Sequence, residues 1–232
     1  MEARVLAIQW RNSMELAQRE AVGAKYSAAA MRRAQALTWE ATEKIAALIK
    51  PGMRESEAIA AGKALLGTLG MDRIWHPVLI RFGENTPRTF SERSDVDPVL
   101  GDDDIYFIDI GVVFGAHEGD CGFTRTTGTD PEMQRCARDA RRLFDVVHAH
   151  WREHGVSGQA LYQFAKAQAE AMGWVLNLDI RGHRVSDFPH AIYKGGKLGD
   201  LADTPNGGLW ILEIQIAHPT RPFGAFYEDL LV

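Results

Sequence analysis

The chain has 232 residues, 46% hydrophobic and 25% charged, with a formal net charge of −5. This is the balance of an ordinary globular protein; it excludes the basic surface of a nucleic-acid binder, and no apolar run is long enough to span a bilayer, so no membrane partner is expected. Two cysteines, Cys121 and Cys136, make no disulfide framework. With no apolar core or cleavage site of a signal peptide at the N-terminus, a reducing, cytoplasmic location is the expectation.

Residues Met14 to Ile49, rich in Ala, Glu, Arg and Leu, predict a long helix that Pro51-Gly52 ends. Ser56 to Leu69 predicts a second helix, stopped at Gly70. HPVLIRFG (76–83) predicts a strand, followed by the polar loop ENTPRTFSERSD. A strand over 105–113 comes next, then a turn at Gly115 and a second strand-like stretch, FTRTTG. From Pro131 the period becomes helical. Cys136, Ala140, Leu143, Phe144, Val147 and Trp151 define one apolar face. His148, His150 and His154 fall mostly off it and read as a solvated face. Ser157 caps a further helix that runs to about Met172. WVLNLDI, LWILEIQIA and GAFYEDLLV predict the last strands. Helix, helix, strands, twice over, predicts an α+β fold with helices packed on largely antiparallel sheets and hints at two similar halves.

Three of these strands carry a carboxylate where an apolar residue is expected. Asp109 interrupts YFIDIG, Glu213 interrupts LWILEIQI and Glu228 interrupts AFYEDLLV. One such acid is commonly a salt-bridged core residue. Three, with few Lys or Arg placed to pair with them, need another source of positive charge, and metal ions supply it. Asp120 lies eleven residues after Asp109, beyond the turn. His183 and His190 flank the polar loop of DIRGHRVSDFPH and offer nitrogen donors. Cys121, next to Asp120, alternates to the opposite face and reads as a structural thiol.

Together these residues resemble the pita-bread metallohydrolases: methionine aminopeptidases, Xaa-Pro aminopeptidases, prolidases and creatinase. The order Asp109, Asp120, His183, Glu213, Glu228 is similar to that family's five metal ligands. KPGMRESE, RFGENT and TRT resemble accompanying segments. The resemblance runs from about Ala29 to Leu231 and implies a pseudo-two-fold pita-bread fold, with helices on curved, mainly antiparallel sheets. Residues 1–28 are then an N-terminal extension and 29–232 the catalytic domain, a short form without the extra N-terminal domain of creatinase. The resemblance further implies two divalent ions (Mn, Fe, Co or Zn), bridged by Asp120 and Glu228, with Asp109 on one and His183 and Glu213 on the other. The implied activity is a dinuclear hydrolase whose metal-activated water attacks an amide or peptide-like C–N bond in a small substrate. Glu213 would accept a proton and His190 would stabilise the oxyanion.

The substrate side departs from the family. Its histidine five residues after the Asn of the loop is Phe90 here, a side chain that neither donates nor accepts a proton. His76, at the head of the preceding strand, is a candidate replacement and also a candidate structural residue. Arg184, Asp187 and Lys194 are candidates to touch a charged substrate, or plain loop charges. These departures leave open a non-peptidase, creatinase-like or biosynthetic, acting on a small amino-acid derivative, and a catalytically dead binding module. The N-terminal helix is a candidate homodimer contact, and equally a candidate to pack on its own domain.

Overall fold

The computed structural model describes residues 15–189 and 195–232. In chain order its elements are α1 (Ala28–Ala46), α2 (Glu55–Leu66), β1 (Arg73–Ile74), β2 (Leu79–Phe82), β3 (Ile105–Phe114), β4 (His117–Thr126), α3 (Pro131–His154), α4 (Gly158–Ala171), β5 (Val175–Leu176), β6 (His183–Arg184), β7 (Trp210–Ala217) and β8 (Gly224–Leu230). The first six elements and the last six repeat one pattern: two helices, two short strands, two long strands. The strands form one antiparallel sheet in the order β1-β3-β4-β8-β7-β5, with β2 also on β3 and β6 also on β7. That order reads the same from either edge, so the halves meet at β4 and β8. The fold is the pseudo-symmetric α+β arrangement expected. No helix among the described residues is long and apolar enough to cross a membrane.

Each helix starts and faces inward for a local reason. Ser27 caps α1, and Ser157 caps α4, each accepting a backbone N–H three residues on. Asp130 caps α3 through the N–H groups of Glu132 and Met133, with Pro131 in the first turn. The α3 residues Cys136, Ala140, Leu143, Phe144 and Val147 are buried, as the helical spacing predicts. Each large apolar side chain so buried stabilises by about 1.5–3 kcal/mol. On α1 the buried face carries Ala34, Thr38, Ala41 and Thr42, small enough for the helix to lie close against β4. Cys121 is fully buried there, its Sγ 3.1 Å from Thr42 Oγ1.

The structure corrects several element boundaries. The long N-terminal helix expected from Met14 is interrupted: residues 20–27 are not helical. Their polar groups serve the second half instead. Glu20 accepts from Asn206 N and Trp210 Nε1, both at 2.8 Å. Gly23 N and Lys25 N donate to the two carboxylate oxygens of Asp187. Arg184, 1% exposed, donates to the carbonyls of Arg19, Ala21 and Leu209. Asp187 and Arg184 are therefore buried clamps on this segment, neither loop charges nor substrate contacts; Lys194 lies outside the described residues. The strand expected over 76–83 starts only at Leu79, and β4 starts at His117, well before FTRTTG.

Candidate metal centre

The site is built on a row of the sheet. Across the four central strands the register pairs Asp109 with Gly122, Gly122 with Glu228, and Glu228 with Glu213. Residues paired across a ladder project from the same face. Asp120, two positions before Gly122, projects from that face as well. His183 enters from β6, paired to β7 at Ile211. The five residues expected as ligands thus converge on one cavity of about 360 Å³, with His76, Trp75, Leu79, Phe90 and Ile180 among its other walls.

Asp120 is the hub. Its Oδ1 lies 2.9 Å from His76 Nε2, and its Oδ2 lies 2.9 Å from His183 Nε2. His76 Nε2 is also 3.5 Å from Asp109 Oδ1. Among the described residues, two sets of donor atoms lie within 4.8 Å of one another: those of His76, Asp109 and Asp120, and those of Asp120, His183 and Glu228. Asp109 Oδ1 and Glu228 Oε1 are buried with no hydrogen-bond partner among the described residues. A buried carboxylate oxygen left that way is costly unless a cation meets it.

The protonation behaviour reflects the crowding. Burial pushes the Asp109 carboxyl up to about 6, against the pull of His76. Burial likewise lifts Glu213 to about 7, against His183. It drives Glu228 well above the carboxylate range, and the charges of Asp120 and Asp109 add to the rise. Burial acts on Asp120 too, but the imidazoles of His76 and His183 outweigh it and hold this carboxyl low. Burial lowers both histidines, yet Asp120 and its neighbours more than compensate, raising His76 to about 10 and His183 to about 9. Without a metal, the acids therefore either keep protons or lean on these imidazoles.

Residues not singled out in the sequence hold the acids in place. β4 and β8 share only the Gly122–Glu228 register pair among the described residues, so Asp120 needs other backbone partners. Gln35 on α1 supplies them: its Oε1 accepts from Asp120 N at 3.0 Å, and its Nε2 donates to Asp120 O at 2.6 Å. Tyr162 on α4 does the same for Glu213, donating to its carbonyl at 3.0 Å and accepting its N–H at 3.2 Å. Gln215 Nε2 donates to the carbonyls of Thr86 and Arg88 and fixes the loop that carries Phe90. Asn85 and Arg81 both donate to buried Glu55, tying the RFGEN segment to the start of α2. Gln215 carried the same signal as Glu213, a polar residue in an apolar strand. Gln35 and Tyr162 carried none, since their partners lie far away in sequence.

Phe90 is 75% exposed at the cavity mouth. His76 stands inside, against the acids. His190, the expected oxyanion donor, lies outside the described residues. His148 and His150, expected on a solvated face, are half-buried and packed, His150 stacked on Phe164 at 3.9 Å and His148 bonded to Val232 O; neither lines the cavity.

Residues 29–232 match the model of metallopeptidase family M24. The chain belongs to metallopeptidase family M24. Solved structures similar to this M24 chain include the prolidase of Pyrococcus horikoshii (18% identity, TM-score 0.73, 93% of this chain and 61% of that one). They also include aminopeptidase P of Escherichia coli (17%, 0.69, 95% and 56%) and methionine aminopeptidase of Thermotoga maritima (14%, 0.69, 91% and 93%). At these identities the likeness is one of fold. The M24 chain spans under two thirds of the prolidase and aminopeptidase P chains and most of the methionine aminopeptidase. No curated protein matches it in sequence.

Proposed function

We propose that this M24 protein is a dinuclear metallohydrolase that cleaves an amide or peptide-like C–N bond in a small substrate. The observation that carries the reading is the convergence of four carboxylates, Asp120 and Glu228 buried and Asp109 and Glu213 half-buried, with His183 on one cavity, where Asp109 Oδ1 and Glu228 Oε1 have no hydrogen-bond partner among the described residues. Oxygen donors with an imidazole suit Mn, Fe(II), Co or Zn. Asp120 and Glu228 would bridge two such ions, Asp109 would hold one, and His183 with Glu213 the other. Bound there, divalent metal supplies Lewis acidity that lowers the pKa of water and polarises a carbonyl.

The chain's own residues do the rest. Glu213, beside the site where metal would sit, takes the proton of the attacking water and returns it to the leaving nitrogen. His190 donates to the developing oxyanion, a contribution of about 2.7–4 kcal/mol in comparable sites. Trp75, Leu79, Ile180 and Phe90 wall the cavity, exclude bulk water and favour an apolar substrate group. The volume of about 360 Å³ fits a dipeptide or a small amide.

Phe90 favours a second reading within the same fold, a non-peptidase acting on an amino-acid derivative, because the histidine expected there is replaced. Elemental analysis of purified protein, with turnover of Met-Ala, Ala-Pro and Xaa-Pro peptides, separates the readings. Bound metal with brisk peptide turnover supports the peptidase. Bound metal with no turnover of any peptide supports the second reading. Absence of metal after reconstitution rejects both.

A further inference from the structure

We propose that His76 is a metal ligand, so that each of the two ions takes one imidazole: His76 with Asp109 and Asp120, His183 with Asp120 and Glu228. The inference deepens the dinuclear reading and rests on it. Three observations carry it.

The two histidines approach Asp120 from either side, His76 through a hydrogen bond to Oδ1 and His183 through an ion pair with Oδ2. Each places Nε2 2.9 Å from a different oxygen of that carboxylate. Each turns Nδ1 to the carbonyl of the next residue, His76 to Pro77 O at 2.9 Å and His183 to Arg184 O at 3.1 Å. A carbonyl only accepts, so Nδ1 carries the proton and Nε2 is the atom aimed at the site. A ligating histidine is usually oriented by such a backbone bond. One ring, Trp75, braces both, edge-on to His76 at 4.6 Å and to His183 at 5.6 Å.

The two histidines also occupy equivalent places in the two halves. His76 leads into β2, which pairs with β3, the strand of Asp109. His183 begins β6, which pairs with β7, the strand of Glu213.

Space for the His76 ring is made by the sequence. Gly111 lies opposite Asp120 in the ladder. A Cβ at Gly111 would stand 2.0 Å from His76 Cδ2 and 2.7 Å from Trp75 Cε2. Any other residue there would expel the imidazole from Asp120. A residue whose only task was to line the mouth would not need this cut into the strand.

The test uses protein loaded with Co(II). Wild type should bind two ions and show two hyperfine-shifted, exchangeable imidazole N–H signals in its proton NMR spectrum. His76→Gln should lose one signal, keep the other, and bind one of the two ions at least about tenfold more weakly by calorimetry. Gly111→Ala, which leaves His76 in the sequence, should lose the same signal. Should His76→Gln keep both signals and both affinities, His76 is a substrate-side residue and the inference is overturned. A wild type that binds fewer than two ions would instead overturn the dinuclear reading.

Discussion

Asp109 and Asp120 occupy one diagonal of a four-residue block in the β3–β4 hairpin, and glycines occupy the other. Asp109 faces Gly122 across the ladder, and Asp120 faces Gly111. Two like charges on neighbouring strands would repel if they stood directly opposite. The diagonal separates them, and each glycine leaves space beside an acid. Gly111 admits His76; Gly122 admits the ring of Phe226.

Gly122→Ala tests that geometry. The added Cβ would meet Phe226 Cε1 at 2.6 Å and Ile108 O at 2.8 Å. Phe226 has to move, since the backbone cannot, at a cost of about 1–3 kcal/mol. Urea unfolding of metal-free protein reads this cost, and metal titration should show weaker binding. Unchanged stability and unchanged affinity would mean that the gap at Gly122 is incidental.

Glu228→Gln separates the cost of the buried charge cluster from its use. Glu228 has three other carboxylates around it and an unpaired oxygen. An amide removes a buried charge site without changing shape, so the metal-free variant should melt at or above wild type. It should also lose the metal-induced gain, which for wild type is about 2.7 kcal/mol when metal stands at a hundred times its Kd. Differential scanning with and without Mn measures both. A metal-free variant several kcal/mol below wild type would show that Glu228 is a structural acid.

Gln35→Leu leaves the Asp120 N–H and carbonyl without the partners described above. The expected loss is about 1–3 kcal/mol of stability per stranded group. Metal affinity should fall about 10- to 100-fold, because the hub ligand is no longer held. Full affinity in a destabilised variant would restrict Gln35 to the fold.

Asp109, Glu213 and Glu228 were legible because each breaks a local rule: a carboxylate inside an apolar strand is visible from its neighbours alone, whereas Asp120 was reached through its spacing and the family resemblance. The α3 face and the two-half element order were legible for the same reason, since helical spacing and strand composition are local. Residues 20–27 were not, because the helix-forming composition on either side masked Gly23 and the Ser27 cap, and Asp187, Asn206 and Trp210, which take up the polar groups of this segment, lie far away in sequence. Gln35 and Tyr162 were invisible for that reason too. The sequence left His76 open between a substrate contact and a structural role, because nothing local says that β2 turns its leading end toward Asp120.

Asp130→Ala probes a junction away from the site. Asp130 caps α3 and is bonded to Arg221 at 2.7 Å. The bond from Arg221, with the N–H of Met133, lowers its carboxyl to about 2. A depressed carboxyl contributes stability above its ordinary pKa and loses it as pH falls through the folded value. Wild type should therefore exceed the variant by about 1 kcal/mol at neutral pH. The difference should persist at pH 4 and close as pH approaches about 2. Denaturant midpoints across that range measure it; a difference that vanished by pH 4 would contradict the bond to Arg221.

The central claim is that the carboxylates of Asp109, Asp120, Glu213 and Glu228, with His183, hold a pair of divalent ions. Anomalous diffraction from crystals grown with Mn tests it most directly. Two peaks are predicted, both touching Asp120 and Glu228, one also touching Asp109 and the other His183 and Glu213. A cavity without a peak, or a single ion that leaves Asp109 or Glu213 unbound, would contradict it.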